Sequence, residues 1–174
     1  MNIASLKTLL WNQFGASIDM LIQAVDACPD GYFEQNPRFF HIAFHSAIFL
    51  DYYLTIPPED FSPLLSFTQE SPENRPKEAI DDCIPDRIYS KKELLAYLRQ
   101  SRSEAQTLIH SLTEEKFKLR FTEGEEEGDM DYPLLEILLY NLRHTQHHTA
   151  QLNLLIRQDM DLHLKWCFRV DDLE

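Results

Sequence analysis

Glycine is scarce, with four in 174 residues, and a chain so poor in it has little material for the tight turns of a β-sandwich or barrel. That scarcity points to helices. Cysteine is scarce too: Cys28, Cys83 and Cys167 are odd in number, far apart and without CxxC spacing. Neither a disulfide framework nor a cysteine-rich zinc site is therefore readable, and a reducing cytoplasm is expected. Basic residues are outnumbered, 16 Lys and Arg against 29 Asp and Glu, for a formal charge of -13. Such a chain repels nucleic-acid phosphates and anionic membrane surfaces, which argues against both as partners. No apolar run reaches the ~20 residues of a membrane span. The start MNIASLKTLLWNQFG lacks the basic head, apolar centre and cleavage site of a secretory signal, so a soluble, cytoplasmic protein is expected.

What is present is apolar periodicity over a length that suits one domain, 1–174. Leu6, Leu9, Leu10, Phe14, Ile18, Leu21 and Val25 recur at three- and four-residue steps, predicting a first helix over 3–27. The stop signals of CPDGYFEQNP follow, and Pro37 suits the first turn of a second helix over 37–55. Residues 56–89 hold Pro57, Pro58, Pro63, Pro72, Pro76 and Pro85, which predicts a long irregular crossover with a short helix near Lys77–Asp82. Phe61, Leu64, Leu65 and Phe67 give this stretch something to bury, so it is expected to form a lid or wall over the helices. Ser90 and Glu93 make a capping box for a third helix over 91–112. An acidic loop without EF-hand spacing leads to the longest periodic stretch, a fourth helix from Pro133 to about 159. In the tail DMDLHLKWCFRVDDLE, Trp166, Phe168 and Val170 are the expected anchors of a docked strand or arm, or of an oligomer contact. The fold class read from this pattern is all-α, an antiparallel four-helix bundle with a long crossover between its second and third helices.

The chemistry concentrates in histidine. His144 and His148 are one turn apart on a stripe with Leu134, Ile137, Leu138, Asn141, Leu152 and Leu155, so both imidazoles point into the helix packing. His41 and His45 repeat that spacing on the second helix and can face the pair. Several inward imidazoles each carry a donor and an acceptor to satisfy, and a shared cation resolves that need; zinc, nickel or iron suits nitrogen ligands. A three-His site leaves positions open for water, whose pKa the ion lowers from ~16 to nearer 7, the basis of a hydrolase or transferase centre. His147 points off this stripe, toward a rim or an outer supporting role, while His110 and His163 have no partner at ligand spacing. Gln151 lies where it can orient a ligand or simply pack; Tyr52 can position a substrate from the His45 face, and Asp51 can back a ligand.

The segments HTQHHTAQLNLLIR and HSAIFLDYYL resemble the fourth- and second-helix patterns of the DinB-like superfamily, which includes YfiT-type metal-dependent hydrolases and bacillithiol or mycothiol transferases. The likeness covers the whole chain. It implies a metal held by His144, His148 and a second-helix histidine, His45 rather than His41, with solvent in the open positions. It also implies a homodimer and a small-molecule substrate such as a thiol, and it implies no DNA chemistry. Thr149 and Ala150 stand where many members carry Arg-Gly, which weakens inference about substrate while leaving the ligands untouched.

Two functions compete: a metal-dependent hydrolase or thiol transferase, and a non-catalytic, stress-linked bundle that binds a ligand or dimerises with structural histidines. No Ser, Cys or Lys is marked as a nucleophile, and no base sits beside the ligands as the Glu of HExxH does. Exposed apolar positions on the first or third helix are the expected dimer contacts.

Overall fold

A computed structural model describes residues 2–172. The chain is mostly helical. Its long helices are α1 (Ile3–Asp26), α3 (Pro37–Tyr52), α4 (Lys91–His110) and α5 (Leu134–Met160), and a single-turn helix, α2 (Tyr32–Gln35), sits inside the predicted stop segment. Side-chain caps start three of the long helices: Asn2 Oδ1 accepts from Ser5 N at 2.9 Å, Asn36 Oδ1 from Phe39 N at 3.0 Å, and Ser90 and Glu93 close the expected capping box.

The directions of these helices follow from bonds between their ends. Lys7 donates to the His110 carbonyl at 2.8 Å and Lys91 to that of Cys28 at 2.7 Å, so α1 and α4 are antiparallel. Asn36 reaches Asp159 at 2.8 Å and Asn141 the Leu50 carbonyl at 2.9 Å, so α3 and α5 are antiparallel as well. Phe44 stacks on Tyr89 and the Tyr97 hydroxyl donates to Asp51 at 2.6 Å, which makes α3 and α4 run the same way. A chain joining two parallel neighbours must travel back along a whole helix, about 24 Å for 16 residues at ~1.5 Å each. The crossover is long for that reason.

The crossover is a wall rather than a helix. It contains a two-stranded antiparallel ribbon, β1 (Phe67–Gln69) with β2 (Cys83–Pro85), pairing Thr68 with Ile84. Turns and bends occupy 77–82, so the short helix expected near Lys77–Asp82 is absent, the ribbon having drawn the chain into a return loop. Leu65 is buried and Phe61 and Phe67 pack on the core, but Leu64 is exposed. A second ribbon, β3 (Arg120–Thr122) with β4 (Asp131–Pro133), places Phe121 in the core and holds the acidic loop at its tip. The chain is mostly helical as expected, with these two short ribbons added. Each is short enough to escape a periodicity reading.

The tail docks on α1 through Val170, one of the three expected anchors, and through Cys167. Val170 N donates to the Asn12 carbonyl at 3.0 Å, and Cys167 is buried beside Ala16 and Met20, whereas Trp166 and Phe168 are 57% and 76% exposed. Gly15 makes this approach possible, because a Cβ there would lie 2.5 Å from Val170 Cγ2. Arg102 then ties the tail to the helices through Asp19 at 2.6 Å and Asp171.

Candidate metal centre

α3 and α5 carry the site. Antiparallel packing sets His45, near the middle of α3, against His144 and His148 on consecutive turns of α5. His45 Nε2 lies 3.0 Å from His144 Nε2, and His148 Nε2 lies 3.1 Å from the same atom. His41, one turn from His45, faces Glu78 and Asp81 and does not join them; burial lowers its pKa. Of the two α3 histidines, His45 is the one that the packing brings against the α5 pair.

The outer nitrogens reveal what the inner ones offer. His45 Nδ1 bonds to Asp81 Oδ2, and His148 Nδ1 bonds to Gln151 Oε1 at 2.8 Å. The Gln151 amide also donates to His147 Nε2 at 3.4 Å, in keeping with its oxygen facing His148. Against a carboxylate and an amide oxygen both Nδ1 atoms act as N–H donors, so His45 and His148 each turn a bare Nε2 lone pair inward. His144 can donate to one of them at most. Two lone pairs and a third ring nitrogen converging on one point are what a cation relieves. The separations are within about 0.3 Å of the ~3.3 Å expected between nitrogens on a tetrahedral ion with ~2.0–2.1 Å bonds. The three residues therefore fit a metal ion, and Asp81 and Gln151 supply the hydrogen bonds that ligand imidazoles normally have behind them.

The electrostatics agree. Burial, reinforced by the neighbouring imidazoles, pushes His144 down to about 3 and His148 down to about 4, so both stay neutral at pH 7, the form that binds metal. Phe49, Tyr53 and Tyr140 wall the His144 ring, and His144 Nδ1 is buried without a partner. Two clefts reach the histidines from outside. One, of about 550 Å³, is lined by Arg38, Lys77, His148 and Gln151 among others; the second, of about 250 Å³, by Tyr140, Arg143 and His144. Exposed His147 borders both, which is the rim position expected of it.

The family model of the DinB superfamily matches residues 13–152. The chain belongs to the DinB superfamily. The matched stretch takes in His45, Asp81, His144, His148 and Gln151, so every member of the site described above lies inside it. No curated protein and no solved structure matches the chain.

Two expected helpers are placed elsewhere. The Tyr52 hydroxyl donates to Glu123 at 2.8 Å, with its ring against Phe61 and Phe121, and Tyr53 faces His144 instead. Asp51 accepts from Tyr97 on the α4 side and touches none of the three histidines. The carboxylate behind the site is Asp81, which sequence reasoning missed because it lies in the crossover, 36 residues from His45. Its only signal is an acidic pair set between apolar residues in the run IDDCIP. His110 packs edge-on to Trp11 and His163 is exposed, as expected of residues outside the site.

Proposed function

We propose that this DinB-superfamily protein is a cytoplasmic, single-domain metalloenzyme, a hydrolase or thiol S-transferase acting on a small molecule. In this reading its four long helices form one bundle, and His45, His144 and His148 hold zinc, nickel or iron. The observation that carries the reading is the convergence of three Nε2 atoms, with Asp81 and Gln151 fixing the outer nitrogens of two of them. A divalent ion held by His45, His144 and His148 would supply Lewis acidity toward a water or thiol nucleophile. The chain's own residues do the rest. Asp81 holds the His45 ring in its donor-outward tautomer, Gln151 does the same for His148, and the aromatic wall around His144 keeps bulk water from that side. His147, linked to Gln151, borders both clefts.

Elemental mass spectrometry on untagged protein tests the metal. Near-stoichiometric zinc, nickel or iron is expected in the wild type and in His41→Ala, and its loss in His45→Ala, His144→Ala and His148→Ala. A wild type that takes up no metal on reconstitution would refute the proposal and leave the non-catalytic bundle. A homodimer belongs to the same reading and is supported by Leu9 of α1, Leu139 and Leu154 of α5, and Phe168, all more than half exposed. Among the described residues α4 exposes no large apolar side chain, whereas α1, the other helix expected to supply the contact, exposes Leu9. Sedimentation at two concentrations checks it.

A further inference from the structure

The larger cleft beside the histidines is charged against the trend of the molecule. The chain carries a net charge of -13, yet this cleft presents Arg38 from the first turn of α3 and Lys77 from the crossover, with Glu78 as its only acidic residue. Arg143 stands in the second cleft, its guanidinium over the Tyr140 ring at 5.3 Å. Arg38 and Lys77 take part in no ion pair among the described residues. Arg102 and Arg120, by contrast, are neutralised by aspartates. His148 and Gln151 line the same cleft, so a molecule lying in it meets the two cations and one member of the histidine cluster. At about 550 Å³ the space is of the size that takes a metabolite.

We infer that the substrate is an anion, and that Arg38 and Lys77 are its specificity-determining residues, binding a carboxylate or phosphate group while the reacting end lies against His148. This deepens the metalloenzyme reading and rests on it for the reacting end only. Arg38 suits this role because its planar fork meets two oxyanion oxygens at once, and Lys77 adds a movable point charge from the crossover. In a molecule whose overall field repels anions, a local pair of cations lining a cleft is what admits one, and its effect falls with salt. Neither residue touches a histidine of the cluster in any hydrogen bond, so removing their charges leaves the ligands in place.

Calorimetry with succinate and glycerol phosphate, against the uncharged succinamide and glycerol, tests this on zinc-reconstituted and chelator-treated wild type, Arg38→Gln, Lys77→Gln and the double variant. Lys92→Gln, a charge on α4 outside both clefts, is the control. Zinc content is read on every sample. At least one oxyanion probe is expected to bind where its neutral analogue does not. Its affinity should fall about tenfold for Arg38→Gln, and further for the double variant and with added salt, at unchanged zinc content. The probe that binds more tightly names the group. Equal binding of charged and neutral probes, or affinity that survives in the double variant and disappears with zinc removal, would overturn the inference, the latter by seating the anion on the metal alone. A protein that binds no zinc but still binds the probe through Arg38 would sink the metalloenzyme reading and keep the anion site, so the two failures are distinguishable.

Discussion

Replacing Asp81 by Asn tests whether the carboxylate behind His45 tunes a ligand or merely closes a loop. Asn at this position keeps one oxygen that can accept from His45 Nδ1, but its amide nitrogen then faces Cys83 N, from which Asp81 Oδ1 now accepts at 2.9 Å. The charge and the Cys83 bond are removed, while the bond to His45 is kept. The His45 and Asp81 side chains are 11% and 23% exposed, so their interaction is partly shielded from water, and losing such a support typically weakens a metal site by about 10–100-fold. Because the hydrogen bond survives, Asn belongs at the lower end, about tenfold or roughly 1.4 kcal/mol. Alanine, which also leaves Nδ1 without an acceptor, belongs near 100-fold. Competition for zinc against a chromophoric chelator measures both, with circular dichroism confirming the fold. Affinities of Asp81→Asn and Asp81→Ala equal to the wild type would refute the reasoning, as would a loss in Asp81→Asn as complete as in His45→Ala.

Three further outcomes follow from the packing. Gly15→Ala puts a methyl 2.5 Å from Val170 Cγ2 and 2.9 Å from its Cβ; a loss of about 1–3 kcal/mol in urea unfolding is expected, with Val170→Ala in the same chain restoring much of it. Asn141 is fully buried, donates to the Leu50 carbonyl and accepts from Thr145 Oγ1 at 3.3 Å, so Asn141→Leu, which strands both partners, should cost about 2–3 kcal/mol in the same assay. Burial pushes Asp51 up to about 6 despite the Tyr97 bond, so the fold disfavours its ionised form; the penalty is present above pH 6 and is relieved as pH falls through 6 toward the unfolded value near 4. Asp51→Asn is therefore expected to stabilise the protein by about 1–2 kcal/mol at pH 7.5 and to lose that advantage by pH 4, as a pH series of melting curves would show.

Helical periodicity and capping determine most of the long helices from residues within a few turns of one another. Leu10, Phe14, Ile18 and Leu21 of α1 are buried where the repeat places them, and the capping box at Ser90 starts α4 where expected. The one-turn spacing of His144 and His148 is likewise local, and so is the reach of Gln151 to His148. Such features depend on 3.6 residues per turn and on nothing farther away.

What only the tertiary structure decided depends on which surfaces meet. His41 and His45 have the same spacing and nearly the same setting in sequence; the offset of α3 against α5 brings His45 to the cluster and turns His41 toward Glu78. Asp81 reaches His45 because β1 and β2 pair and fold the crossover back, and three-residue strands leave no period to read. In the tail, contact with α1 at Gly15 buries Cys167, half-buries Val170 and leaves the larger Trp166 and Phe168 outside. Hydrophobicity ranks residues by what they gain when covered, but the shape of the neighbouring helix selects which of them are covered.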